Sequence, residues 1–568
     1  MSIFKERTIE LIRQALPDEL QAELDLNRLV EVPPDPTLGD FAFPAFSLAK
    51  ILRKAPAQIA QDIAAEIEKP VWLERVAVVG GYVNFFIEKG QRAHDVLTTI
   101  AAQKESYGST VQDTPKTVVI DFSSPNIAKP VGVALIRTTI LGHSLARIFS
   151  FRGYQVERVN HLGDWGTQCG KWIVGYRMWG DEEQLRLSPI KELFRLYVRF
   201  HKEAEVDPAL EDAAREAFAR LEQGDPEIYA LWERFRSLSI EEFKTIYARM
   251  GITFDSYNGE AFYEDKMAAV VSMLTEKGLL QTSEGAKIVN LDDENLPPCL
   301  IQKSDGATLY ATRDLAAAIY RWHTYQPTFV LYVVGAPQQL HFQQVFAVLR
   351  KAGMQWVDRY EHIPFGTIRF GDQAMSTRRG NVVFLEDVLN EASARALAII
   401  EARNPNLAQK EQVAEQIGIG AVLFRFLVYS RMKDISFDFA SALSFEGDTG
   451  PYVQYTYARA GSVLRKAAQV ECNSTQLDYA GLNSAEEMTL IKELERFPDV
   501  VEAAEAAREP AGIAHYLLEL CRAFNGFYHE HRVVGSNLEA ERLELLRATR
   551  TVIANGLFLL GLEAPEEM

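Results

Sequence analysis

TVVIDFSSPNIAKPVGVALIRTTILGHSLARIF, residues 117–149, passes from one hydrophobic pattern to another. Its opening TVVIDF is a β-branched run of the kind that suits a strand buried on both faces of a parallel sheet. A polar loop, SSPNIAK, follows. From Pro130 to Phe149 the apolar residues Val133, Ile136, Ile140, Leu141, Leu145 and Ile148 recur at intervals of three and four. That spacing predicts a helix, and Pro130 suits its first position, where no N–H is needed.

Downstream the same alternation returns. QVERVNHLGDWG (155–166) follows the helix; TFVLYVVGA (328–336) precedes a helical pattern over 341–354, and EHIPFGTIRF (361–370) comes next. Strands alternating with helices predict an α/β fold, a Rossmann-like doubly wound parallel sheet. About 187–250 is a charged, helix-rich insertion. Upstream, helical patterns at 3–16, 56–68 and 91–104 with strand-like runs at 74–79 and 82–87 predict a small α/β domain. The polar stretch QKESYGSTVQDTPK (103–116) reads as a linker. Beyond about 406 the pattern is helical almost throughout, apart from a polar loop at 471–487. The expected divisions are 1–112, 113–405 and 406–568.

At 568 residues, 47% hydrophobic and 24% charged, the chain has material for several packed domains, which excludes a disordered, collagen-like or disulfide-stapled protein. Its formal net charge is −18 and its pI about 5.2. Such a chain has no overall attraction for phosphates, so charge balance alone argues against a nucleic-acid partner. Cys169, Cys299, Cys472 and Cys521 form no CxxC and no regular spacing, so neither a disulfide framework nor a protein metal site is expected. The first residues have helical spacing without a signal peptide's apolar core, and the longest apolar stretch, Gly418–Tyr429, is too short to span a bilayer. A cytoplasmic protein without a membrane partner is expected.

Ligands of open α/β sheets gather beyond the carboxyl ends of strands. The loop after TVVIDF places Ser123, Ser124, Asn126 and Lys129 there. Neither GxGxxG nor GxxxxGK[ST] occurs in it, so a dinucleotide fingerprint and a P-loop are unsupported; capping explains the serines about as well as a ligand does. GATLYATRDLAAAIYRW (306–322) sets Tyr310 and Asp314 one helical turn apart, which a solvated face would also explain. GAPQQLHF (335–342) brings Gln338 to a strand end, and YNGEAFYED (257–265) supplies Glu260. Two carboxylates, a phenol and an amide would suit a planar cation with many donors. In QAMSTRRGNVVFLEDVL (373–389) a hydroxyl pair and two arginines precede Gly380 and Asn381, a loop able to cover phosphates or simply a basic surface turn.

Taken together these segments resemble the arginyl-tRNA synthetases, class I aminoacyl-tRNA synthetases, nearly end to end. LGDFAFPAFSLAK (38–50) and GGYVNFFI (80–87) match the family's additional N-terminal domain, which contacts tRNA. SSPNIAKP, NHLGDWGTQCG, DGATLYATRDLAAAIYRW, YVVGAPQQLHF and MSTRRGNVVFLEDVL follow in the family's order, and DTGPYVQYTYARAGSVLRKA (448–467) opens its helical anticodon-binding domain. The resemblance implies an arginine–tRNA ligase that uses ATP, with Mg2+ accompanying the nucleotide, and a monomer. It assigns Ser124, Pro125 and Asn126 to the arginine backbone, Tyr310, Asp314 and Glu260 to the guanidinium, and Gln338 to the same pocket. Lys129, Arg378 and Arg379 become the cations at the reacting phosphate, and Met375 and Ser376 ATP-binding positions. Tyr452, Gln454, Tyr455, Tyr457 and Arg459 fall where the family meets the anticodon stem-loop, where aromatics stack on unpaired bases.

The chain departs from the family at its first ATP signature. Where relatives carry His-x-Gly-His after the Lys-Pro pair, Gly132, Val133, Ala134 and Leu135 stand here. Leucine donates no hydrogen bond, and losing one such donor typically costs about 10²–10³ in rate. The second signature begins with Ala374 in place of lysine; Pro337 and Tyr457 replace a common acid and a common histidine. Two expectations follow: a ligase slower than its relatives, or a paralogue that binds tRNA or arginine without ATP chemistry.

Overall fold

The computed structural model describes residues 1–21, 24–304, 310–369, 383–467 and 477–568, with the side chains of 18 and 19 left aside. Near the N-terminus β1 (Phe41–Pro44), β2 (Leu73–Val79) and β3 (Tyr82–Ile87) form an antiparallel sheet of order β1-β3-β2. Helices Ile3–Ala15, Pro56–Glu66 and Lys89–Gln103 accompany it.

The central sheet contains β4 (Thr117–Asp121), β5 (Gln155–Val159), β9 (Phe329–Gly335) and β10 (Tyr360–Phe365). Its order is β10-β9-β4-β5 and every pairing is parallel. Val118, Val119 and Ile120 are wholly buried, as the unbroken β-branched run of TVVIDF requires. Between β4 and β9 the strand order reverses, and the crevice at their carboxyl ends is the natural ligand position. Helix Ile136–Phe151 lies close over the sheet: a Cβ on Gly142 would stand 2.2 Å from Cγ of Phe122.

That helix starts later than its sequence pattern indicates. Gly132 is extended (φ −76°, ψ 151°), Val133–Leu135 is a 3-10 turn, and the α-helix opens at Ile136. Pro130 is therefore not a first helical residue. The Val133 N–H donates to the Val383 carbonyl at 2.9 Å, and the Leu385 N–H to the Val131 carbonyl at 2.9 Å. Pairing with a distant segment outweighs local helical preference.

Helices Pro189–Ala204, Ala209–Glu222 and Pro226–Arg249 make up the insertion. A further antiparallel sheet, β6 (Leu280–Ser283), β7 (Ala286–Val289) and β8 (Cys299–Gln302), went unforeseen. β11 (Ile368–Arg369) lies parallel to β12 (Ile435–Ser436), tying the exit of the central sheet to the helical region. That region contains Lys410–Leu427, Gly450–Ala467, Ala485–Ala507, Ala511–Glu530 and Glu539–Leu560. The stretch read as a linker is gripped by it: Tyr107 is buried and its hydroxyl donates to the Leu494 carbonyl at 3.0 Å. Cys169, Cys299 and Cys521 are free and buried; Cys472 lies outside the described residues. Among the described residues no helix is long and apolar enough to cross a membrane.

Candidate active site

The loop leaving β4 is built from strained backbone. Ser123, Ser124 and Ala128 have φ of 71°, 53° and 54°, a region that non-glycine residues occupy only when surroundings compel it. Those surroundings are hydrogen bonds. The Ser123 N–H donates to Thr138 Oγ1 at 3.0 Å, and its hydroxyl lies 2.7 Å from that of Tyr247 on the insertion. The Ser124 N–H donates to Asn160 Oδ1 at 3.1 Å, and its hydroxyl donates to Asp121 Oδ1 at 3.1 Å. Asp121 is also paired at 2.7 Å with the buried Arg321, whose guanidinium reaches His161 Nδ1 at 3.4 Å. Burial, and then the charge of Arg321, hold His161 below the ordinary histidine range, although Asp121 works the other way. It stacks on Tyr263 with ring centres 5.4 Å apart.

Pro125 and Asn126 are pinned next to the segment after β5. The Gly163 N–H donates to the Pro125 carbonyl at 3.0 Å, and the Ile127 N–H to the Gly163 carbonyl at 3.2 Å. A Cβ on Gly163 would fall 2.1 Å from Asn126 Oδ1, so any side chain there would push the Asn126 amide aside. Pro125 is buried and Asn126 exposed. Gln168 bridges onward: its amide donates to Asn126 Oδ1 at 3.3 Å, and its Oε1 accepts from Lys129 Nζ at 3.1 Å. The Lys129 ammonium lies 4.5 Å from the ring centre of Tyr197, so an insertion helix helps to place the cation.

Two acids stand across the crevice. Asp164, wholly buried, accepts from the Ala261 N–H at 2.9 Å and pairs with Arg236 at 2.8 Å; it thereby seats the segment carrying Glu260. Burial raises the Glu260 carboxyl to about 7, with Asp164 and Asp314 adding to the rise and Arg313, 3.6 Å away, opposing it. Asp314 lies in the first turns of helix Tyr310–Tyr325. Burial would raise it, yet the hydrogen bond and charge of His341 leave its carboxyl below the usual carboxylate value. Its helical neighbour Tyr310 is 68% exposed, and Gln338 is exposed at the start of the helix after β9.

Glu260 and Asp314 are thus brought within electrostatic reach of each other, and Ser124 and Asn126 are fixed at the β4 end. Sequence reasoning missed His341, Asp164, Arg313 and Arg321. His341 stood in the quoted GAPQQLHF, and a donor three residues beyond Gln338 was its only local signal. Around the first signature, Gly132 and Leu135 are half-buried and Ala134 is exposed. Met375, Ser376, Arg378 and Arg379 lie outside the described residues.

A second site lies on helix Gly450–Ala467. A cavity of about 950 Å³ is lined by Arg395, Arg403, Phe445, Tyr452, Tyr455 and Arg459, among others. The Arg459 guanidinium lies 4.7 Å from the Tyr455 ring centre and donates to Asn525 Oδ1 at 3.1 Å. Asn525 in turn donates to the Tyr452 hydroxyl at 2.9 Å. Gln454 points elsewhere: it is wholly buried and donates to the Glu563 carbonyl at 2.9 Å. Tyr457 is buried too, donating to Glu566 at 2.9 Å. The face this helix offers to the cavity is carried by Tyr452, Tyr455 and Arg459.

Comparison with known proteins agrees along the whole chain. Residues 6–87 match the family described as arginyl tRNA synthetase N terminal domain, 96–439 the class I (R) tRNA synthetase catalytic domain, and 453–568 the DALR anticodon binding domain. A Clostridium perfringens protein named arginine–tRNA ligase is 49% identical over 563 residues, covering 98% of this chain and 99% of that one. A Clostridium botulinum protein of the same name is 47% identical over 568 residues, covering both chains completely. Among solved structures, Thermus thermophilus arginyl-tRNA synthetase superimposes with a TM-score of 0.84 at 26% identity, covering both chains fully.

Proposed function

Since the chain belongs to the arginyl-tRNA synthetase family, we propose that it joins L-arginine to the 3′ end of tRNA(Arg) in two steps, of which the first consumes ATP. In the first, an arginine carboxylate oxygen attacks the α-phosphorus of ATP; the bond to pyrophosphate breaks and arginyl-adenylate forms. In the second, a hydroxyl of the terminal tRNA ribose attacks the arginyl carbonyl and AMP leaves. The expectation from net charge, that nucleic acid is no partner, is overturned by this membership.

The observation that carries the reading is the pair of half-buried acids. Glu260 and Asp314 are electrostatically coupled beyond the carboxyl ends of β4 and β9. A guanidinium presents planar, forked donors that two carboxylates can share, with Tyr310 closing one side and Gln338 at the rim. A lysine ammonium is a compact point charge and leaves part of such a fork unmet. Ser124, Pro125 and Asn126 hold the amino-acid backbone groups at the β4 end. Lys129 reaches the phosphates, together with backbone at 132–135; Met375, Ser376, Arg378 and Arg379, the other positions assigned to ATP, lie outside the described residues. Mg2+ arrives with ATP through its phosphates. Positioning and electrostatics then do most of the work.

Tyr452, Tyr455 and Arg459 receive unpaired anticodon bases in the cavity of about 950 Å³, while Gln454 and Tyr457 shape the helix from within. The exposed Phe46 beside Tyr82, ring centres 5.2 Å apart, gives the N-terminal domain an exposed aromatic edge. A cytoplasmic monomer fits this work. A tRNA-binding paralogue without ATP chemistry is not favoured, because relatives named as ligases match over their full length. Arginine-dependent ATP–pyrophosphate exchange with tRNA present tests the proposal. Exchange is expected; tRNA and arginine binding without exchange would return the paralogue to favour.

A further inference from the structure

Arg137 joins three stretches that are far apart in sequence. It is the second residue of helix Ile136–Phe151, directly after 132–135, and it is wholly buried. Nη1 donates to the carbonyls of Gly366 at 2.9 Å and Lys433 at 2.6 Å, and Nη2 donates to that of Ser430 at 3.1 Å. Every one of these acceptors is main chain, so the contact reads backbone position. The planar fork fixes its donors relative to one another, which a lysine's single nitrogen cannot do.

Each acceptor belongs to a segment that is itself held. Gly366 follows β10; its N–H donates to the Arg431 carbonyl at 2.9 Å, and a Cβ there would come within 2.7 Å of the Met432 carbonyl oxygen. The Thr367 N–H donates to Asp434 Oδ1 at 2.7 Å. On the far side, the Arg431 N–H reaches the Glu509 carboxylate at 3.2 Å, and Arg508 pairs with Glu361 of β10 at 3.1 Å. Glu509 and Arg508 follow helix Ala485–Ala507 of the helical region. Meanwhile Val131 and Val133 are paired with 383–385. The segment 131–135 is thus held at one end by those pairings and at the other by Arg137.

We propose that Arg137 is a positioning residue for the ATP step: its fork sets the first ATP segment against the exit of β10 and against the 430–434 turn that the helical region holds. This rests on the reading of 132–135 as ATP-binding. Ser124 is anchored off this helix, through Asn160 and Asp121, so the arginine end of the loop keeps its geometry when Arg137 is altered, although Ser123 leans on Thr138 of the same turn.

The test uses the full-length chain with Arg137→Lys and, independently, Gly366→Ala, which forces the same junction apart while leaving the guanidinium in place. In arginine-dependent pyrophosphate exchange, KM for ATP should rise roughly tenfold or more, because a displacement of about 1 Å suffices for such losses. The Kd for arginine by calorimetry should stay within about twofold. Amide hydrogen exchange at 366–369 and 131–135 should quicken in both variants. Equal losses for ATP and arginine, or unchanged ATP kinetics, would overturn the proposal. If Arg137→Lys does not fold, Gly366→Ala decides alone. If the parent chain shows no exchange of pyrophosphate, the ATP reading fails on its own account. The amide measurement then judges Arg137: quickened exchange at both segments supports the tie, and unchanged exchange sinks it.

Discussion

His341 Nε2 stands 2.5 Å from Asp314 Oδ2, so the helix after β9 steadies an acid on the helix Tyr310–Tyr325. Burial alone would favour the neutral carboxyl; the histidine is the leading influence that keeps it ionised. With its pKa depressed, Asp314 holds its charge above the ordinary carboxylate range and gives it up as pH falls through the lowered value. In His341→Leu that loss moves to higher pH. Glu260 makes KM for arginine rise in both proteins as pH falls through about 7. In His341→Leu the rise should be steeper than in the parent, because Asp314 then loses its charge as well. Parallel profiles for the two proteins would remove His341 from this role.

Glu260 titrates near the working pH. Its carboxyl is raised to about 7 by burial first, then by neighbouring acids, so it is largely protonated below that value and charged above it. Arginine needs the charged form, so its affinity should increase as pH rises through about 7, and binding at pH 7 should release a proton. For stability the sign is reversed: the protonated acid is tolerated in the fold, so this contribution is present below the ordinary carboxylate pKa and lost as pH rises through 7. Calorimetry in buffers of different ionisation enthalpy measures the release. Glu260→Gln should abolish it and weaken arginine by about 2–5 kcal/mol.

Restoring the family's signature should increase the rate. Gly132 is extended, with φ −76° and ψ 151°, a backbone that any residue adopts, and Ala134 is exposed. Gly132→His with Ala134→Gly and Leu135→His should accelerate pyrophosphate exchange, by roughly 10–10³ if donors at the phosphate are what the parent lacks. An equal or slower variant would mean that this chain binds ATP without them.

Tyr455→Ala and Arg459→Ala should weaken tRNA. Stacking on an aromatic is worth about 1–3 kcal/mol per base, so KM for tRNA should rise by roughly fivefold to a hundredfold for Tyr455→Ala, with KM for arginine unchanged. Arg459→Ala should also flatten the salt dependence of binding. Gln454→Ala, being buried, should lower thermal stability instead. Tyr455→Ala with unaltered tRNA kinetics would relocate the contact.

What the sequence made legible was whatever depends on local pattern. β4 and β9 are buried on both faces, so their apolar runs are continuous and stand out. The insertion and the C-terminal helices carry long periodic stretches. The late start of helix Ile136–Phe151 could not be read, because pairing of Val131 and Val133 with 383–385 leaves no local trace. β6 and β7, reading LQTS and AKIV, are too short and too polar to signal. At the site, Glu260 and Asp314 were legible as acids, whereas their tuning by Asp164 and His341 comes from residues that only the fold brings near. Net charge misled because it averages: Arg395, Arg403 and Arg459 line one cavity of a chain whose total is −18.

The grip on Tyr107 bears on how the chain is made. Tyr107 and its acceptor Leu494 are 387 residues apart, and Arg92 waits likewise for Glu495, 3.1 Å away in the finished fold. At roughly 5–20 residues per second, synthesis separates these partners by roughly 20–80 s. The N-terminal sheet can form early, but the side it will present to the late helices stays bare through that interval. Assembly therefore waits until residues 494 and 495 have been made, and any pause between residues 107 and 494 lengthens the exposure of that unfinished face.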